Sequence, residues 1–124
     1  MNRFDHKIII AGGRDFDDYE YLCRSVNSVI DNLFGNIQIV SGKAKGADSL
    51  GEQYAKDNGI DLKVFPANWK KHGRSAGYVR NADMANYADT LVAFWDGKSR
   101  GTKHMIDEAN RRGFYVEVFN YESS

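Results

Sequence analysis

Three short segments of this chain combine glycine with cationic side chains: Gly12-Gly13-Arg14-Asp15, Ser41-Gly42-Lys43-Ala44-Lys45-Gly46-Ala47-Asp48, and Gly97-Lys98-Ser99-Arg100-Gly101-Thr102. Glycine lets a backbone approach a ligand closely, and a helix that follows such a turn presents unpaired N–H groups and the positive end of its dipole. Together these features suit a phosphate. A single glycine-rich turn serves merely to join a strand to a helix in any α/β protein, whereas three that converge point to an anion site. Ten of the seventeen Lys and Arg residues lie in or beside these segments and one further polar stretch: Arg14, Lys43, Lys45, Lys70, Lys71, Arg74, Arg80, Lys98, Arg100 and Lys103. If the segments share an edge of the fold, a neutral protein acquires a cationic rim.

Within this rim Arg14 and Arg80 are the strongest single candidates, because a guanidinium grips a phosphate bidentately and keeps its charge. Asn81, beside Arg80, is counted with them. Each arginine has a competing use in an ion pair, with Asp15 or Asp83 nearby. Asp48 and Asp96 are candidates for a ribose hydroxyl, and helix capping explains them equally well. Trp69 sits in a polar stretch, where it either stacks on a base or packs the loop down. Trp95, ending an apolar run, reads as core or pocket wall.

Several chemistries are excluded. The spacing Gly42 to Gly46 is too short for a phosphate-binding P-loop and is followed by Ala47-Asp48 in place of Lys-Ser/Thr. The dinucleotide fingerprint GxGxxG is absent after the first apolar run. His6, His72 and His104 have no metal-ligand spacing with one another or with Cys23, so no metal is expected. Gly97-Lys98-Ser99-Arg100-Gly101 has the letters of a nucleophile elbow, but no histidine-bearing loop follows a later strand.

The elements that must position these residues follow from hydrophobic periodicity. Lys7 to Ala11 is a continuous apolar run after its lysine and stops at Gly12-Gly13, as a strand buried on both faces does. Asp17 with Glu20 marks a helix start, and Leu22, Val26, Val29, Ile30 and Leu33 keep helical spacing up to Gly35. Ile37 to Val40 is a second strand, and Ala47, Leu50 and Tyr54 give a second helix closing near Gly59. Leu62 to Phe65 is a third strand, ended by Pro66. Asn68 to Gly77 reads as an excursion loop longer than a connection requires. A helix from about Ala76 to Tyr87, the strand Thr90 to Trp95, the loop Asp96 to Arg100, a helix from Thr102 to Arg112 and the strand Tyr115 to Phe119 complete the pattern. Such alternation predicts an α/β fold: a Rossmann-like three-layer sandwich with a mainly parallel five-stranded sheet and helices on both faces. In such a sheet every strand-to-helix loop falls on one edge, and ligands settle where neighbouring connections diverge.

The chain has 124 residues, 42% hydrophobic and 27% charged, which is the size and composition of one globular domain spanning residues 1–124. Its apolar runs are too short to cross a bilayer, and the N-terminus lacks a signal-peptide pattern, so a soluble cytoplasmic protein is expected. A lone cysteine, Cys23, set among apolar helical neighbours, reads as a buried thiol in a reducing compartment. Seventeen basic and seventeen acidic residues cancel, which argues against a partner as large and anionic as long nucleic acid.

Beyond the three loops, Pro66-Ala67-Asn68-Trp69, Ala76-Gly77-Tyr78-Val79-Arg80-Asn81-Ala82-Asp83-Met84 and Ala93-Phe94-Trp95-Asp96 stand in order along the chain. With those loops they resemble the small bacterial and phage proteins of the SLOG superfamily related to YspA and YpsA, over nearly the whole length. The resemblance implies a Rossmann-like fold and a ligand class. The superfamily includes phosphoribohydrolases of the LOG type, single-strand DNA binders of the DprA type, and sensor domains for nucleotide-derived signals. In the LOG loop a glutamate and a helical arginine work on the glycosidic bond; here Gly101-Thr102 and Arg80 match, but the glutamate position falls on Met105, which cannot move a proton. Asp107 and Glu108 lie on other helix azimuths and read as solvated.

The function expected from the resemblance is the binding of an ADP-ribose-like or cyclic-nucleotide-like small molecule, as a sensor or sequestering protein and without a cofactor. The alternatives are nucleoside-monophosphate phosphoribohydrolase activity and DprA-like single-strand DNA binding. Apolar helical faces leave room for a homo-oligomer. The residues expected to touch ligand are Gly12, Gly13, Arg14, Asp15, Ser41, Gly42, Lys43, Gly46, Ala47, Asp48, Trp69, Arg80, Asn81, Asp96, Gly97, Ser99, Gly101 and Thr102, with no catalytic residue assigned.

Overall fold

In the computed structural model, which describes residues 3–123, the chain alternates strand and helix. The elements are β1 (His6–Gly12), α1 (Tyr19–Ile30), β2 (Ile37–Ser41), α2 (Ala47–Asp57), β3 (Asp61–Val64), α3 (Trp69–His72), α4 (Ala76–Tyr87), β4 (Thr90–Trp95), α5 (Arg100–Arg111) and β5 (Tyr115–Asn120). All four strand pairings are parallel, in the order β3-β2-β1-β4-β5. The fold is the expected Rossmann-like α/β sandwich.

The apolar runs of the inner strands are continuous because both faces are covered. Side chains alternate across a strand, so Ile8 and Ile10, with Ile39, Val92 and Phe94, meet Leu22, Val26 and Val29 of α1 and Tyr54 of α2. Ile9 and Ala11, with Val40, Leu91 and Ala93, meet Met84 of α4 and Met105, Ile106 and Ala109 of α5. Most of these side chains are fully buried, each stabilising the fold by about 1.5–3 kcal/mol. The register sets Gly12 beside Phe94, where a methyl group would run into the Phe94 carbonyl, so the close approach of β1 to β4 requires glycine.

Four local expectations are corrected. Helix α1 is capped by Asp18, whose carboxylate accepts from the Tyr21 N–H at 3.0 Å, and not by Asp17. Residues 68–77 are not an irregular excursion: Asn68 accepts from the Lys71 N–H at 3.1 Å to start the single-turn helix α3, and a 3-10 turn over Gly73–Ser75 leads into α4. Helix α5 begins two residues before Thr102, capped by Ser99. Cys23 is only partly buried, at the margin of the α1 core. No helix among the described residues is long and apolar enough to cross a membrane.

Candidate functional site

Strand order runs outward from β1 to β3 on one side and from β4 to β5 on the other. The helices after β1 and β4 pack on opposite faces, so the two loops part and leave a crevice between them, the place where sheets of this kind bind ligands. A cleft of about 490 Å³ occupies it, within the size range of small-molecule sites. The β1 loop contributes Gly12, Gly13, Arg14 and Asp15; the β4 loop and the start of α5 contribute Asp96, Ser99, Gly101 and Thr102. Asp48 of α2 and Arg80 and Asn81 of α4 form the inner wall, with Trp69 at the mouth.

Asp48 and Arg80 form the electrostatic centre. Asp48 is only 4% exposed and its carboxylate accepts the Ala44 N–H at 3.2 Å. Burial pushes its pKa up to about 6, opposed by the Arg80 guanidinium and the hydrogen bond from Ala44. Arg80 donates from Nη1 to the Gly42 carbonyl and from Nε to Asn81 Oδ1 at 3.0 Å. Burial draws the Arg80 pKa down from its ordinary value, and the Asp48 charge resists that shift. The competing ion pair with Asp83 does not form. Glycine at 42 leaves room for this pair, since a Cβ would lie 2.7 Å from Arg80 Nη1 and 2.9 Å from Asp48 Oδ2 and would displace those side chains. Asn81 is itself buried; its amide nitrogen lies 3.2 Å from both the Gly101 carbonyl, to which it donates, and His104 Nδ1, tying α4 to α5.

Arg14 is exposed and has no ion-pair partner among the described residues. Asp15 instead holds the C-terminal tail: the Ser123 and Tyr121 hydroxyls both donate to its carboxylate, the latter at 2.6 Å, and hold the carboxyl below its ordinary value. Asp96 accepts the Lys98 and Ser99 N–H groups at 2.8 Å each, which lowers its pKa and closes its own turn.

Ser41, Gly46, Ala47 and Gly97 line no part of this cleft. Ser41 is fully buried, donating to Glu52 at 2.7 Å and accepting the Lys43 N–H at 3.1 Å. Gly46, at φ 76°, packs on the Gly13 carbonyl, which accepts the Ala47 N–H at 3.1 Å. The expectation of an open helix N-terminus is corrected accordingly: the first N–H of α2 is already engaged by the β1 loop. Gly42 and Lys43 line a second depression beside the first.

Other wall residues were not anticipated as site residues. Gly77 and Met84 stand three residues before and four after Arg80, on the helical stripe that faces the cleft, and that spacing could have revealed them. Met105 follows Gly101 by four residues, buried and on the wall, so a thioether stands there where an acid would be needed. Arg74 comes from the segment read as a loop and Tyr78 from the first turn of α4, where it packs on His104 with ring centroids 4.5 Å apart. Ser123 has no local signature, because only the tertiary bonds of the tail bring it there. Glu108 is not solvated as expected: Arg111, Arg112 and His104 surround it. Trp95 lies beside the α4–α5 core and donates to the Ser99 carbonyl at 3.1 Å.

Comparison with known proteins agrees with the fold. The model of the YspA, cpYpsA-related SLOG family matches residues 6–72, more than half of the chain. The Gene 61 protein of Mycobacterium phage D29 is 29% identical over 121 residues, covering 93% of this chain and 95% of that protein. The X-ray structure of DNA processing protein A (DprA) from Streptococcus pneumoniae has a TM-score of 0.69 at 21% identity, covering 98% of this chain. This chain spans 51% of that longer one, and the likeness concerns the fold.

Proposed function

Because the chain belongs to the YspA, cpYpsA-related SLOG family, we propose that it binds a nucleotide or a nucleotide-derived small molecule, ADP-ribose-like or cyclic-nucleotide-like, as a sensor or sequestering protein, with residues 1–124 acting as one binding unit. The observation that carries this reading is the crevice between the β1 and β4 loops, where the unpaired Arg14 stands at the same cleft as the half-buried Arg80. Two guanidiniums suit a phosphate, while Asp48 is an acceptor within reach of a hydroxyl-bearing ligand. Trp69 and Tyr78, 52% and 45% exposed at the mouth, are faces on which a base can stack.

A second reading is favoured by Asp48 itself. A buried carboxyl with a pKa of about 6 on the wall of a cleft has the protonation behaviour of a general acid or base. In that role it would assist hydrolysis of an N-glycosidic bond, water adding at the sugar carbon and the proton passing to the departing base.

One experiment separates the two. Thermal shifts are measured with AMP, ADP, NAD, ADP-ribose, cyclic mono- and dinucleotides and oligodeoxythymidine, and each mixture is then analysed for free base. Ligand at a hundred times its dissociation constant stabilises by about 2.7 kcal/mol. A shift with intact ligand that disappears in Arg14→Ala and Arg80→Ala supports binding alone. Free base released by the wild type and not by Asp48→Asn establishes the hydrolase, and the absence of any shift rejects the nucleotide reading.

A further inference from the structure

The cleft between β1 and β4 is one of two depressions on this edge, and the two differ in charge. The first is balanced, with Arg14, Arg74 and Arg80 facing Asp15, Asp48 and Asp96. The second, about 370 Å³, lies against the β2–α2 loop and residues 66–69; it presents Arg14, Lys43, Lys45 and Arg80 and no carboxylate. Arg14, Arg80, Ala44 and Trp69 line both, so the depressions share a boundary and the two guanidiniums stand on it. Resting on the binding reading above, we propose that the nucleoside lies in the balanced cleft and that its phosphates run across the Arg14–Arg80 boundary toward Lys43 and Lys45. The ligand class is then a nucleoside carrying two phosphoryl groups in sequence, as in a diphosphate or a pyrophosphate ester.

Three observations support this direction. One N–H at each of three helix starts is already engaged: the Ala47 N–H by the Gly13 carbonyl, the Thr102 N–H by the Ser99 hydroxyl and the Tyr21 N–H by Asp18. Lys43 and Lys45 are the cations that the second depression adds to the shared guanidiniums, and no carboxylate lines it. Neither Lys43 nor Lys45 has an ion-pair partner among the described residues. Lys43 also holds a left-handed backbone at φ 57°, a conformation unfavourable for a lysine. Its N–H is bonded to the buried Ser41 hydroxyl, which Glu52 fixes from α2. The turn that sets Lys43 beside the groove is thus held from within the fold.

The test is calorimetric titration of adenosine, AMP, ADP, ADP-ribose and oligodeoxythymidine into the wild type, the double variant Lys43→Gln/Lys45→Gln and the control Lys98→Gln/Arg100→Gln. The control removes the same charge from the β4 loop outside both depressions. The wild type is expected to bind ADP about tenfold more tightly than AMP, the second phosphate gaining charge-assisted hydrogen bonds. The lysine double variant is expected to reduce that ratio to about threefold or less while AMP affinity is retained, and the control to preserve the ratio. ADP-ribose binding as tightly as ADP assigns the groove to a pyrophosphate ester, and ADP binding more tightly assigns it to a terminal diphosphate; either supports the proposal. Equal affinities for AMP and ADP in the wild type overturn it and leave the binding reading intact. The same holds if the control collapses the ratio as far as the lysine variant does. Affinity for oligodeoxythymidine that exceeds ADP and grows with length overturns it in favour of a strand. If neither AMP nor ADP binds, the binding reading falls as well. Unliganded thermal midpoints within a degree or so of wild type verify that the exposed lysines affect the ligand and not the fold.

Discussion

Residues 41–48 and residues 96–102 are both glycine- and lysine-containing loops that lead from a strand flanking β1 into a helix, and the fold uses them in opposite ways. The first is drawn inward: Ser41 and Asp48 are buried, Gly42 lies against Arg80, and Gly46 abuts the β1 loop. The second closes on itself at its tip: Asp96 and Ser99, on the cleft wall, bond to their own turn, and Gly97 faces open space. Even the carboxylates diverge, since burial raises Asp48 whereas backbone N–H groups lower Asp96. Composition alone does not distinguish a loop that builds a site from one that closes a turn. What distinguishes them is what each loop meets: the first lies against the Arg80 guanidinium, whereas the second bonds largely within its own turn and reaches α4 through the Gly101 carbonyl, which accepts from Asn81.

The largest expected difference comes from a methyl group in each loop. Gly42→Ala places a Cβ within 2.9 Å of both Arg80 and Asp48, so nucleotide affinity should fall about tenfold or more, read as loss of the AMP-induced thermal shift. A variant that binds AMP normally would show that Arg80 is not where the ligand sits. Asp48→Asn comes next. The folded state raises this carboxyl to about 6 from 3.8 and so binds its proton more tightly than the unfolded chain does. Its contribution is complete below the unfolded value and is lost as pH rises through about 6. The asparagine variant should therefore lack that decline and be more stable than wild type near pH 8 by on the order of 2 kcal/mol, in urea titrations across pH. A wild-type decline that survives the substitution would assign it to another group.

Gly97→Ala should cost only the left-handed backbone at φ 81°, about 1 kcal/mol, with AMP affinity unchanged. A loss of affinity comparable to that of Gly42→Ala would erase the distinction between the loops. The smallest effect belongs to Asp96→Asn. This carboxyl is depressed, so its stabilisation is present above 3.8 and is lost as pH falls through the lowered folded value. The variant should differ from wild type in the slope of the acid limb of the stability curve and by no more than a few degrees in Tm at neutral pH.

Much of this architecture is legible in the chain. Ile8-Ile9-Ile10 cannot expose either face, so a doubly covered strand follows, and the three later repeats of strand and helix with the last strand follow from hydrophobic period. Arg14 and Arg80 are legible as site candidates because a guanidinium has few roles in a glycine loop or on the helix behind it. Residues 68–77 misread as a loop because their polar side chains mask a one-turn helix whose start depends on the Asn68 cap. Gly46 and Ala47 read as ligand contacts because their sequence resembles an open helix start. Nothing local reveals that the Gly13 carbonyl, thirty-odd residues away, already accepts the Ala47 N–H.

The sequence by itself determined the order of elements, the both-sided burial of the inner strands and the family, since hydrophobic period and glycine placement are local properties that survive without coordinates. Tertiary structure alone decided which polar groups remain available to a ligand. The Asp48 carboxylate, the Arg80 guanidinium, the Ala47 N–H and the tail hydroxyls each have partners remote in sequence or buried surroundings that no local pattern encodes. Electrostatics depends on distance in space and on exclusion of water, and both are set only when the strands have been ordered around β1.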